Sequence, residues 1–143
     1  MTERKANILL VEDNPADIRL MLEILKEGDI QSDFHVVTDG EEAIDFLRHQ
    51  GPHKNAPRPD IVFLDLNLPK KDGREVLQEV KEDPLLRRIP VIVMTTSGGK
   101  EDIDTAYDHH ANCFITKPVD LQDFMKVAET LKHFWLAMVQ LPA

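Results

Sequence analysis

The sequence predicts an α/β protein, a parallel sheet with helices packed on both of its faces. Three observations lead there. Short apolar runs recur along the chain: Ile8-Leu9-Leu10-Val11, Ile61-Val62-Phe63-Leu64, Val91-Ile92-Val93-Met94 and Cys113-Phe114-Ile115-Thr116. Runs of four rich in Val and Ile read as buried parallel strands. Segments with helical spacing alternate with them, so five strand–helix units follow one another without repeats. The runs lead into polar residues: Glu12-Asp13, Asp65, Thr95 and Lys117-Pro118.

The first strand is expected over residues 6–11. Asn14 is placed to cap a helix whose first position is Pro15. Ile18, Met21, Leu22 and Leu25 share one face of it, and Gly28 ends it. The second strand, Phe34-His35-Val36-Val37, is more polar and suits a sheet edge. A helix over about 40–48 buries Ala43, Ile44 and Leu47. Residues 49–59, with Gly51, Pro52, Pro57 and Pro59, form a solvated loop. The most apolar run makes the third strand, the central one, at 60–65. Pro69 and Gly73 punctuate the turn to a helix over about 73–82, and Pro84 and Pro90 bracket the entry to strand four at 89–95. Ser97-Gly98-Gly99 makes a flexible turn before a helix at about 100–109. Strand five at 112–116 and a long helix from 120 to about 138 complete the chain.

A length of 143 residues suits one domain with a full core. The expectation is a single domain over 1–143 with an extended C-terminal helix and no output module. The apolar fraction of 42% and charged fraction of 30% are those of a soluble globular protein. No apolar stretch approaches the roughly 18 residues of a membrane helix. From the first residues, Met1-Thr2-Glu3-Arg4-Lys5, no signal peptide is expected. Cys113, the one cysteine, cannot form an internal disulfide, so a reducing cytoplasm is expected. A net charge of −9 argues against nucleic-acid binding, which needs a basic face.

In an open parallel sheet the ligand site lies beyond the carboxyl ends of the strands. That rule gathers Glu12, Asp13, Asp65, Thr95 and Lys117 into one place. Three carboxylates repel unless a cation joins them, and an all-oxygen set suits Mg²⁺. Asp65 is the candidate nucleophile, since attack of a carboxylate on phosphorus gives an acyl phosphate. Mg²⁺ would neutralise both the carboxylate and the phosphoryl oxygens. Asp13 is the expected direct ligand, with Glu12 acting directly or through water and the Asn67 backbone carbonyl completing the shell. Lys117 is expected to pair with a phosphoryl oxygen, or with Asp65 before phosphorylation. Thr95 would donate its hydroxyl to another oxygen. Taken singly, an Asp or Thr after a strand is often a cap or a turn residue. The joint pattern, each member after a separate apolar run, is far more specific.

With these residues in place the chain resembles a receiver domain of the two-component response-regulator family. Glu12-Asp13 matches the family's acidic pair, and Asp65-Leu66-Asn67-Leu68-Pro69 followed by Asp72-Gly73 matches the phosphoacceptor motif. Thr95 and Lys117-Pro118 match the hydroxyl and lysine positions. The resemblance covers nearly the whole chain. It implies a flavodoxin-like, doubly wound (βα)5 fold with sheet order 2-1-3-4-5. It also implies Mg²⁺-dependent acceptance of a phosphoryl group from a phosphohistidine of a sensor histidine kinase. Phe114 stands at the aromatic switch position, where many receivers carry tyrosine. Thr96 stands where alanine is typical, which narrows access to Asp65. The start Asn14-Pro15-Ala16-Asp17-Ile18-Arg19-Leu20, the proline-containing loop, and the Asn112-to-Lys117 segment with its Phe134-Trp135-Leu136 tail look like stand-alone regulators that partner bacterial phytochrome kinases.

Rival readings meet specific residues. A phosphohydrolase of the haloacid dehalogenase type resembles a motif with a second Asp as general acid, and that position here is Asn67. In a flavodoxin-like carrier, Glu12-Asp13 would repel the cofactor phosphate. A receiver-like scaffold that never takes phosphate conflicts with the complete site set. Elsewhere, bland accounts fit better. His109-His110 suit a helix C-terminus, Cys113 a core position in a buried strand, and Glu41, Glu42, Glu79 and Glu82 solvated helix faces. Gly98-Gly99 lacks the lysine of a phosphate loop. On the last helix, Leu121, Phe124, Ala128, Leu131, Trp135 and Met138 trace one core-facing stripe. Val127, Phe134 and Val139 point elsewhere, and Leu136 widens the arc. Such an excess of apolar surface calls for a cover. A homodimer centred on Phe134, Trp135 and Leu136 is expected, with packing against the 49–59 loop as the alternative.

Overall fold

Five strands, β1 (Ala6–Val11), β2 (Ser32–Val37), β3 (Ile61–Leu64), β4 (Val91–Thr95) and β5 (Cys113–Thr116), pair in parallel in the order β2-β1-β3-β4-β5. This computed structural model describes residues 6–27 and 32–142. The helices are α1 (Pro15–Lys26), α2 (Gly40–Arg48), α3 (Gly73–Glu82), α4 (Lys100–Asp108) and α5 (Leu121–Leu131). The expected fold class and strand order both hold. Gly28 and residues 1–5 lie outside the described residues.

Period-two alternation along the strands builds two cores, because successive side chains point to opposite faces. Leu9, Val11, Val62, Leu64, Val91 and Val93 face α2, α3 and α4 with Ala43, Leu47, Val76, Leu77 and Ala106. Ile8, Leu10, Ile61, Phe63, Ile92 and Met94 face α1 and α5 with Met21, Leu25, Phe124, Ala128 and Leu131. The helices start where their caps stand. Asn14 Oδ1 accepts the N–H groups of Ala16 and Asp17, and Asp39, Asp72 and Asp120 cap α2, α3 and α5 in the same way. The 49–59 loop contains a short 3₁₀ turn, Gly51–His53, held where His53 Nε2 meets Glu42 Oε1 at 3.3 Å.

Several expectations need correction. β5 is a sheet edge and only half-buried, so Cys113 does not begin a fully buried strand. Glu79 is not merely solvated, since it pairs with Lys71 and Arg48. The last helix is not one α-helix to 138. It changes at Lys132–Met138 to a π-helix, with Val139 N–H bonding Phe134 O at 2.9 Å. The apolar stripe breaks at both ends, with Leu121 and Met138 each 62% exposed. Wider i→i+5 turns advance each residue by a smaller angle, so the phase of the stripe slips after Leu131. Val127, Trp135 and Leu136 pack against the α1/α5 core, as does Leu141. The loop at 49–59 is therefore not what covers this segment. Of the three residues expected at a dimer face, Trp135 and Leu136 are half-buried and only Phe134 is exposed, at 48%.

Candidate functional site

The parallel register brings the strand ends level. Val11 pairs with Leu64, Leu64 with Val93, and Thr95 with Thr116. Ladder hydrogen bonds then run one residue past the strands. Glu12 N–H bonds Val37 O at 3.1 Å, Asp65 N–H bonds Val11 O at 3.0 Å, and Lys117 N–H bonds Thr95 O at 2.7 Å. The polar residues are thus carried on backbone that the sheet itself holds rigid. Gly73, the first residue of α3, closes the turn beneath Asp65. A Cβ there would stand 2.2 Å from Asp65 O and 2.6 Å from Leu66 Cα, so the chain can return under the site only without a side chain.

Lys117 is the hub. Its Nζ lies 2.7 Å from Glu12 Oε1, 2.9 Å from Asp65 Oδ2 and 2.9 Å from Asp17 Oδ2. The Lys117, Glu12 and Asp65 side chains are 7%, 4% and 8% exposed, so these polar groups meet with little water between them. Asp65 Oδ1 accepts the Asn67 N–H at 3.0 Å. Asp13 is exposed at the rim. Oxygens of Glu12, Asp13 and Asp65 all lie within 4.8 Å of one another. Such an oxygen-only set suits a hard divalent cation.

Electrostatics sort the two buried carboxyls. Burial, followed by the hydrogen bond with Asp65, pushes Glu12 up to about 8 against the opposing pull of Lys117. Burial also pushes Asp65 up. Hydrogen bonds with Glu12, the Asn67 N–H and Lys117 outweigh it and leave Asp65 below the usual carboxylate value. Burial lowers Lys117, but Glu12, Asp17 and Asp65 more than reverse this and raise it. Asp65 is therefore the ionised nucleophile candidate, while burial favours the neutral form of Glu12.

The hydroxyl side of the site is organised by an amide. Asn67 Nδ2 donates to Thr95 Oγ1 at 3.2 Å and to Ser97 Oγ at 2.8 Å, and Ser97 N–H donates to Thr95 Oγ1 at 3.3 Å. Thr95 is fully buried and accepts in both contacts, so its own proton is left for another acceptor. Phe114 is half-buried against the α2/α3/α4 core, and its N–H donates to Tyr107 Oη at 3.2 Å. Thr96 is exposed.

Every residue expected at the strand ends is thus placed there: Glu12, Asp13, Asp65, Asn67, Thr95 and Lys117. Sequence reasoning missed Asp17, Ser97 and Tyr107. Asp17 had one usable signal, an acidic residue in the first turn of a helix that starts beside the acidic pair.

Residues 8–129 match the family model of the response regulator receiver domain. The chain belongs to that family. Response regulator Rcp1 of Synechocystis sp. is 50% identical to this receiver over 136 residues, which span 95% of this chain and 92% of Rcp1. The crystal structure of the Mn²⁺-bound form of Rcp1 superimposes with a TM-score of 0.95 at 49% identity, covering 96% of this chain and 99% of that one. That of the phosphorylated cyanobacterial phytochrome response regulator RcpA gives a TM-score of 0.95 at 48% identity, covering 98% and 100%. As a receiver, the protein is a signalling module whose acidic cluster suits a divalent metal. Among the described residues no helix is long and apolar enough to cross a membrane.

Proposed function

We propose that the protein is a phosphorylation-switched binding module in which Asp65 accepts a phosphoryl group from a phosphohistidine of a sensor histidine kinase. One observation carries this most directly. A buried lysine holds the Asp65 carboxylate at 2.9 Å, in a cluster that also presents the Glu12 and Asp13 oxygens. In the transfer, an Asp65 oxygen forms the new bond to phosphorus while the phosphorus–nitrogen bond to the donor imidazole breaks. The imidazole nitrogen keeps that electron pair and takes up a proton from solvent. Lys117 follows the negative charge from Asp65 onto a phosphoryl oxygen, and the Thr95 hydroxyl donates a hydrogen bond to another. Glu12, Asp13, Asp65 and the Asn67 carbonyl are the proposed Mg²⁺ ligands. When bound, Mg²⁺ supplies neutralisation of the charge shared by carboxylate and phosphoryl oxygens. The protein acts on no other substrate; it promotes only its own phosphorylation and slow dephosphorylation.

Drawing Thr95 toward the phosphoryl group shifts the packing at Phe114 and so the face made by α4, β5 and α5. Because this is a population shift, some active-like conformer exists before phosphorylation. Likeness to RcpA supports a bacterial phytochrome as the kinase. A cytoplasmic location fits such a partner. The exposed Phe134, edge-on to Trp135 at 5.6 Å between ring centroids, supports a homodimer through the end of the C-terminal helix.

Incubation with acetyl phosphate and Mg²⁺, read by intact mass, tests the assignment. Wild type gains one phosphoryl increment and Asp65→Asn gains none. A full increment on the variant would overturn the role of Asp65, and none on wild type would favour a scaffold that never takes phosphate.

A further inference from the structure

Lys117 has three N–H donors and meets three carboxylates. Two of them, Glu12 and Asp65, belong to the cluster that suits a cation, and the third, Asp17, does not. The same ammonium therefore competes with a divalent cation for two carboxylates and is drawn aside by a third. Asp17 differs from the other two in its surroundings. Its side chain is 24% exposed, against 4% for Glu12 and 8% for Asp65, and it lies on a helix rather than at a strand end.

The way α1 begins explains how Asp17 comes to point there. Asn14 caps the helix and Pro15 takes its first position, so Asp17 is the third helical residue. An acidic residue at that place commonly reaches back to the N–H of the cap residue. Here the Asp17 N–H is bonded by Asn14 Oδ1 at 3.2 Å, and the Asp17 carboxylate reaches Lys117, a hundred residues away in sequence.

We propose that Asp17 is a positioning residue for phosphoryl acceptance, holding the Lys117 ammonium toward α1 so that Glu12 and Asp65 remain open to a divalent cation. This rests on the metal-assisted role proposed for Asp65. Without Asp17, the third N–H of Lys117 turns to the remaining oxygens of Glu12 and Asp65. The cation then meets a stronger competitor at both. Lys117 is also less well directed toward an incoming phosphoryl oxygen, so phosphorylation slows.

The test is Mg²⁺ affinity measured by calorimetric titration, on wild type, Asp17→Asn, Asp17→Ala, Asp17→Glu, Lys117→Met and the Asp17→Asn/Lys117→Met pair. Asp17→Asn keeps the shape and removes the charge that draws the ammonium aside, so it carries the test even if Asp17→Ala folds poorly. Affinity is expected to fall about three- to tenfold in Asp17→Asn, the size of coupling found between residues in direct contact. Asp17→Glu should restore most of it. In the Lys117→Met background, Asp17→Asn should change affinity less than about twofold, because the lysine that transmits the effect is gone. A merely structural role would not vanish in that background. Wild-type affinity in Asp17→Asn overturns the inference, as does an equal loss with and without Lys117, which would show that Asp17 acts through its general field. A wild type that binds no Mg²⁺ overturns the proposed function itself and this inference with it.

Discussion

Lys117 and Asp65 meet at 2.9 Å across 52 residues of chain, one beyond β5 and the other beyond β3, with β4 between them in the sheet. Neither is free to leave. Lys117 is tied through its backbone to Thr95, Asp65 to Val11. Lys117 also lines a small cavity together with Leu10, Met21, Phe63, Met94 and Phe124. Removing the ammonium leaves the buried Asp65 carboxylate without its cation, a loss that typically costs about 3 kcal/mol or more. Lys117→Met is expected to be destabilised by that order near neutral pH in urea denaturation without metal. The deficit should shrink when Mg²⁺ is added, since a divalent cation can take over the neutralisation.

The raised value of Glu12 predicts pH-dependent metal binding. Its folded-state value is raised from 4.5 to about 8, so in the metal-free protein its contribution to stability is fully present below the unfolded value. That contribution is lost as pH rises through about 8. A cation needs the ionised form, so Mg²⁺ affinity should rise with pH up to about 8, with uptake of Mg²⁺ releasing protons below it. Calorimetry in buffers of different ionisation enthalpy counts those protons. Glu12→Gln should flatten the profile, whereas Asp13→Ala should weaken binding at every pH.

Thr95 is the expected relay. Thr95→Val removes the acceptor for both Asn67 Nδ2 and the Ser97 N–H. A loss of about 1 kcal/mol in stability is expected from those bonds. Phosphorylation by acetyl phosphate should persist at Asp65, while phosphate-dependent chemical-shift changes at Phe114 and Tyr107 are lost. A full response in that variant would remove Thr95 from the pathway.

Phe134→Asp should weaken self-association without touching the phosphoacceptor site. Phe134 is 48% exposed and Met138 beside it on the π-helical segment is 62% exposed, whereas Trp135 is already engaged with its own core. Sedimentation equilibrium, with and without phosphoryl donor, reads the result. A wild type that stays monomeric at high concentration in both states would overturn the dimer.

What the sequence by itself determined is the local and periodic part of this protein. The continuous apolar runs of β1, β3 and β4, the Asn14 cap and the residues waiting at the strand ends are properties of short stretches of chain. They are legible because backbone geometry sets their spacing. With the parallel-sheet rule they were enough to assemble Glu12, Asp65, Thr95 and Lys117. Tertiary structure alone decided the rest. An apolar run reads alike in the centre and at an edge, so only the assembled sheet left β5 half-exposed. Only packing of α1 and α5 against one face of the sheet aimed Asp17 at Lys117, and only the three-dimensional turn after β4 set Ser97 against Asn67. These contacts depend on where a side chain points after helices dock, and that direction is fixed by neighbours far away in sequence.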